Sequence, residues 1–204
     1  MDKKLRIKIF EKASLCRNFE INAFNYSKNR TIKIPIYLSA GQEFTSATLS
    51  TLIFSKKIKP LIFAQHRCHS TYLSFGGKIE NLIVELLGNY RLSNTRGMGG
   101  SASIYSKKIK MYGHDGHMGT QVPIGIGACF TSRKPTIVFM GDASAEEDYV
   151  LGALGWASVK KLPILFIVED NNLSILTEKK VRRNWHMHEV ARSFKMRGYD
   201  LHDN

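Results

Sequence analysis

Two apolar runs in the second half of the chain set its pattern. Thr136-Ile-Val-Phe-Met140 and Pro163-Ile-Leu-Phe-Ile-Val168 are continuously apolar. Each ends in oxygen-bearing residues, Gly141-Asp142 after the first and Glu169-Asp-Asn-Asn172 after the second. Between them, residues 145–160 place Val150, Leu154 and Ala157 along one helical face. Strand, helix, strand, with both strands apolar throughout, predicts a buried parallel βαβ unit. Pro60-Leu-Ile-Phe-Ala64 predicts a further buried strand, and polar Gln65-His66-Arg67 the loop after it. Lys78–Gly88 reads as an amphipathic helix stopped by Gly88. Residues 119–132 also read as helix. Leu5, Ile9, Leu15, Phe19 and Phe24 give loosely helical spacing over residues 3–26. Ser39 is a candidate cap for a helix through Ala47-Thr-Leu-Ser-Thr-Leu-Ile-Phe54. Residues 89–118 are irregular and rich in Gly and Ser. A loop of that length is usually functional or disordered.

Composition changes this picture little. The chain has 204 residues, 43% of them hydrophobic, which fits one globular domain or two small ones and excludes intrinsic disorder. Cys16, Cys68 and Cys129 are scattered, without metal-ligand spacing, and imply a reducing compartment with the cytoplasm as default. No run of ~18 apolar residues and no signal-peptide core is present, so no membrane association is expected. Lys+Arg exceeds Asp+Glu by 30 to 17, a net charge of +13. The basic residues fall in pairs along the chain, such as Lys56-Lys57, Lys179-Lys180 and Arg182-Arg183, with no aromatic interleaving. That pattern reads as a solvated surface or a face for an acidic partner, not a nucleic-acid site.

The chemistry gathers where the two strands end. Ligands of parallel α/β sheets bind at the strands' carboxyl ends, and a right-handed crossover returns the chain to the same edge. Asp142 and the Asp170-Asn171-Asn172 cluster would meet there as hard oxygen donors suited to magnesium. A helix beginning near Ser144 would aim its N-terminus at a bound anion. The bland alternative makes Asp142 a helix cap and Asn171-Asn172 loop formers. Elsewhere the bland readings prevail. His114 and His117 lack further ligands for a metal, and His186 and His188 fall on different faces of any helix. Gly125-Ile-Gly127 reads as close helix packing, and Cys68 beside Arg67 as a plain thiol. Gly152 and Gly155 would permit tight helix contact, as with another subunit.

Further blocks stand in fixed order: Ser39-Ala-Gly-Gln-Glu43, Phe63-Ala-Gln-His-Arg67, Arg96-Gly-Met-Gly-Gly-Ser101, Gly119-Thr-Gln-Val-Pro123 and Leu162-Pro-Ile-Leu-Phe-Ile-Val-Glu169. With Gly141-Asp-Ala-Ser144 and Asp170-Asn171, this set resembles the alpha subunit of the thiamine diphosphate-dependent component of 2-oxo acid dehydrogenases. The pyruvate, branched-chain and acetoin enzymes belong to that family. The resemblance implies an α/β fold with a doubly wound, mostly parallel sheet, the thiamine diphosphate-binding fold. It divides the chain into an N-terminal helical segment, residues 1–34, and a cofactor domain, residues 35–204, lacking the family's C-terminal portion.

Residue by residue, the resemblance implies magnesium ligation by Asp142, Asn171 and the carbonyl of Leu173. A one-residue shift would substitute Asn172 and Ser174. Gly141, Ala143 and Ser144 would lie against the diphosphate. Gln65, His66 and Arg67 would contact it, Arg67 in bidentate fashion. Backbone groups of Gly116 and Met118 would hold the aminopyrimidine ring, and Ile175 would pack beneath the cofactor. Three positions depart from the family pattern: Ala143 replaces a glycine, Asp170 an asparagine and His66 a tyrosine. The activating glutamate belongs to the family's beta subunit, so no catalytic residue is expected in this chain. The implied function is oxidative decarboxylation of a 2-oxo acid, with acyl transfer to the lipoyl group of an acyltransferase, in an α2β2-type assembly. A split transketolase-like half and a truncated, inactive homologue are the alternatives.

Overall fold

The computed structural model describes residues 2–202. Residues 1, 203 and 204, which bound the two expected domains, lie outside it. In chain order the elements are α1 (Lys3–Lys28), α2 (Glu43–Ser55), β1 (Leu61–Phe63), α3 (His69–Ser74), α4 (Ile79–Leu86), β2 (Met111–Tyr112) and α5 (Gln121–Ser132). There follow β3 (Thr136–Gly141), a 3-10 turn (Ser144–Glu146), α6 (Asp148–Val159), β4 (Ile164–Glu169), β5 (Leu173–Ser174), β6 (Thr177–Glu178), α7 (Lys179–Arg182) and α8 (Met187–Ser193). They form two compact units: residues up to 59 with 64–116, and residues 60–63 with those from 117 onward. No helix among the described residues is long and apolar enough to cross a membrane.

In the first unit α1 packs on α2 and α3. Its buried stripe is Ile9, Ala13, Cys16, Phe19, Glu20 and Ala23. Leu15 and Phe24, expected on that stripe, are exposed. Ala13, Cys16 and Ala23 on the inner face let neighbouring helices approach closely. Glu20 is buried because it is fully bonded, as burial of a carboxylate requires. Its Oε1 accepts from the Ser39 hydroxyl at 2.5 Å, and its Oε2 from His69 Nδ1 at 3.1 Å. His69 Nε2 meets the Ser101 hydroxyl at 2.8 Å, and Ser101 Oγ accepts from the Tyr37 N–H at 2.8 Å. Ser39 therefore ties α1 to the first unit's core and does not cap α2, which starts after Gln42 without a side-chain cap; its hydroxyl accepts instead from the Ser70 N–H in the first turn of α3 at 3.0 Å. The serine–histidine–glutamate line has the connectivity of a catalytic triad. All three residues are at most 2% exposed, so no substrate reaches them and the line is structural.

The amphipathic helix α4 ends where the sequence predicts. Gly88 has φ +69°, and the N–H groups of Gly88 and Asn89 close onto the carbonyls of Glu85 and Val84. This is a Schellman cap, and its left-handed residue is the one glycine suits. Glu85, buried in the helix's inner face, accepts from Thr95 Oγ, from the Thr95 N–H at 3.0 Å and from the Gly100 N–H at 3.3 Å. Glu85 thus ties the glycine-rich segment to α4, while Ser101 at its end is held by His69 and Tyr37.

The second unit holds the parallel sheet, with β3 between β1 and β4. All six residues of β3 are buried. On one face of the strand, Val138 and Met140 pack with Phe63, Val122, Ile126, Val150, Leu154 and Ala157 into one core. The predicted α/β class with parallel strands is therefore present. Gly125 sits flush against the sheet, where an added Cβ would stand 2.7 Å from Val138 Cγ2 and 3.1 Å from the Phe63 ring. Two expectations change. Strand β4 is an edge strand with Leu165 44% exposed, so its apolar run does not mark full burial. The helix expected from 145 begins only at Asp148, because a 3-10 turn precedes it.

Candidate metal and phosphate site

Gly141 of β3 pairs in register with Glu169 of β4. The next residues, Asp142 and Asp170, therefore leave the sheet level with one another at its carboxyl edge. Asp142 is 1% exposed. It caps neither the 3-10 turn, whose leading residue is Ala143, nor α6, which follows Glu147. Its carboxylate is instead bonded to the Arg182 guanidinium. After β4 the chain makes two successive side-chain turns. Asp170 Oδ1 accepts from the Asn172 N–H at 2.9 Å, and Asn171 Oδ1 from the Leu173 N–H at 3.0 Å. Asn172 takes the left-handed conformation at φ +65°, tolerable for asparagine. Leu173 then opens the short β5–β6 hairpin, whose tip holds β-branched Ile175 at φ +55°, 94% exposed. The loop-former reading of Asn171 and Asn172 thus describes their local bonds. It leaves one lone pair on Asn171 Oδ1 for a second partner.

Three carboxylates line this edge, and three cations from the α7 segment meet them. Arg182 pairs with Asp142 and lies 3.3 Å from Glu146. Arg183 lies 3.3 Å from Glu146 and 3.9 Å from Asp170. Lys179 bonds Asp170. Burial pushes the Asp170 carboxyl up, but the Lys179 and Asn172 bonds and the charges of Lys179 and Arg183 outweigh it and hold it below the ordinary range. The Arg182-Arg183 pair is therefore no solvated surface: the Arg183 side chain is only 3% exposed and its guanidinium stacks 4.5 Å over the Trp185 ring. Sequence reading missed both residues, because nothing local tells which basic pair returns to the sheet edge. The unmatched strand-end carboxylates were the available signal.

Oxygen donors at an edge that must recruit cations fit a hard divalent ion chemically. Among the described residues no group of three or more His, Cys, Asp and Glu side chains forms a metal cluster. The fit therefore rests on one carboxylate, an amide oxygen and backbone carbonyls. Glycine 119 brings the chain close beneath this region at φ +80°. Met118 is beside it, and its carbonyl accepts from the Tyr149 hydroxyl.

The first unit carries the remaining candidates. Gln65 is buried, and His66 and Arg67 are half-buried. Arg67 Nη1 donates to His66 Nε2 at 2.9 Å. An arginine only donates, so the neutral His66 ring keeps its proton on Nδ1 and remains a donor there. Burial, then the neighbouring Arg67 and His114 charges, lowers its pKa to about 4. Tyr37 meets the ring edge-on at 5.3 Å. Gly116 has φ +105° and donates its N–H to His114 Nδ1 at 3.0 Å, leaving its carbonyl for other partners. This bond makes His114 a loop anchor.

Known proteins extend these observations. The family model for the dehydrogenase E1 component matches residues 11–199. The chain is 31% identical over 173 residues to the mitochondrial pyruvate dehydrogenase E1 component subunit alpha-1 of Oryza sativa subsp. japonica, covering 82% of the chain and 43% of that protein. It is 30% identical over 203 residues to the pyruvate dehydrogenase E1 component subunit alpha of Rickettsia prowazekii, covering 96% of the chain and 60% of that protein. The chain thus spans about half the length of these relatives. Among solved structures, transketolase from Leishmania mexicana superposes with a TM-score of 0.61 at 16% identity, over 91% of this chain and 31% of that one. That likeness shows a shared fold. Strand ends, register, ordered motifs and a match along nearly the whole sequence converge: the chain belongs to the dehydrogenase E1 component family.

Proposed function

We propose that this chain is the thiamine diphosphate- and magnesium-holding alpha part of a 2-oxo acid dehydrogenase. It would act with a beta subunit in the oxidative decarboxylation of a 2-oxo acid, the acyl group passing to a lipoyl-bearing acyltransferase. The observation that carries this reading is the level exit of Asp142 and Asp170-Asn171 from β3 and β4, with a buried, cation-seeking carboxylate at Asp142. The family membership and the shared fold support it. Asp142, Asn171 and the Leu173 carbonyl are the proposed metal ligands. Gly141, Ala143, Ser144, Gln65, His66 and Arg67 are the proposed diphosphate contacts. Gly116, Met118 and Ile175 are assigned to the organic part of the cofactor. When bound, the cofactor supplies the electron sink for decarboxylation; the protein supplies binding, orientation and charge. The chain's own contribution is to hold an anion and a hard cation at the carboxyl ends of β3 and β4, with the buried Asp142 carboxylate on the side where charge interactions are strong.

Isothermal titration of thiamine diphosphate with magnesium into the chain co-expressed with a beta subunit tests this. Saturable binding that Asp142→Ala abolishes is expected. An absence of binding, or binding indifferent to Asp142→Ala, would overturn the proposal.

A further inference from the structure

The most unusual feature of the second unit is that its proposed metal ligand already holds a cation. We propose that Arg182 stands in for the metal at Asp142, and that Arg182 and Arg183 become diphosphate-binding residues once a divalent ion takes that carboxylate. The inference rests on the cofactor reading above and adds to it two anion-holding residues and an exchange of partners.

The charges motivate it. Asp142, Glu146 and Asp170 are matched one for one by Lys179, Arg182 and Arg183. A divalent cation entering a set already neutral is opposed by the guanidiniums unless an anion arrives with it. A metal–diphosphate pair brings both signs: the metal takes the carboxylate, and the released guanidinium takes phosphate oxygens. The donors for that second role are in place. Arg182 Nε and Arg183 Nη1 are buried without a hydrogen-bond acceptor among the described residues. Buried donors are ordinarily satisfied, so these mark an acceptor to come. The planar fork of arginine suits phosphate oxygens, and Trp185 holds the Arg183 plane in place.

The segment can make the exchange. Helix α7 has four residues, none of them buried, and Val181 is 72% exposed. Its place at the sheet edge depends on ion pairs more than on apolar packing. Exchanging ion pairs therefore moves it at little cost in buried apolar surface.

The test uses the full chain with manganese(II) as the metal probe and inorganic pyrophosphate as the anion probe. With manganese alone, Arg182→Gln is expected to bind about tenfold more tightly than wild type, because the competitor is gone. With manganese saturating, Arg182→Gln and Arg183→Gln are each expected to bind pyrophosphate about tenfold more weakly. Should the variants fold poorly, the Trp185 emission in a Trp156→Phe background supplies a second reading. It is expected to shift on adding magnesium pyrophosphate and to stay unchanged with magnesium-free pyrophosphate. Equal manganese affinity in wild type and Arg182→Gln, or an unmoved Trp185 signal with bound magnesium pyrophosphate, overturns the exchange but leaves the cofactor site standing. Failure of every form to bind manganese, pyrophosphate or thiamine diphosphate overturns both.

Discussion

Asp142 and His66 show how position gives a side chain its chemistry. A carboxylate on a turn in water is an ordinary acid. At the end of a fully buried strand it needs a cation, and here Arg182 provides one. Removing one partner of such a pair leaves a buried charge exposed to the full desolvation cost. His66 is the complementary case, a base kept neutral by its surroundings. Its folded pKa of about 4 lies below the ordinary 6.5. Between those values the unfolded chain binds a proton that the native chain refuses. Stability therefore rises with pH across that window and is lost as pH falls through it. Urea midpoints measured from pH 7 to 4 should show a decline of roughly 2 kcal/mol from this residue, after allowance for its partial exposure. His66→Gln should flatten the slope; an unchanged slope would assign the acid sensitivity to the carboxylates.

Two helices give opposing lessons about small and charged residues. On α5, Gly125 and Gly127 are two residues apart and look alike in sequence. An added Cβ at 125 would stand 2.7 Å from Val138, whereas at 127 it meets nothing within 4 Å. Gly125→Ala is expected to destabilise by about 1–3 kcal/mol through overpacking. Gly127→Ala should stabilise by up to about 1 kcal/mol through helix propensity. Thermal melts of the two variants separate these outcomes, and equal shifts would refute the packing account. On α4, Glu85 points inward beside Leu82 and Leu86 and gathers the loop at Thr95 and Gly100. Glu85→Ala leaves those donors unpaired at about 1–3 kcal/mol each. Limited proteolysis should then cut within residues 95–101 at protease levels that spare the wild type. The helix itself was legible from its apolar spacing and Gly88; the work of Glu85 was not, because its partners lie 10 to 15 residues on and have no helical period.

The whole chain carries +13, and its carboxylates are largely committed. Glu20, Glu85 and Asp142 are buried and bonded, and Glu43 is bonded to Arg17 at 2.5 Å. The uncompensated charge is therefore surface lysine and arginine, which repel one another and are screened by salt. The urea midpoint should rise on going from low to physiological ionic strength; a fall would mean that the ion pairs at the sheet edge dominate instead. Against this background the division between sequence and structure is clear. The amino-acid order by itself determined the βαβ unit, the stop at Gly88 and the ordered family motifs, because periodicity and glycine placement are local properties. It determined equally that oxygen donors follow both strands. Only the tertiary structure decided that Ser39 bonds Glu20 instead of capping α2, that β4 lies at an edge, and that Arg182 folds back onto Asp142 and Arg183 onto Glu146 and Asp170. Those outcomes depend on which segments meet across tens of residues, and charge pairing over such distances leaves no period in the chain.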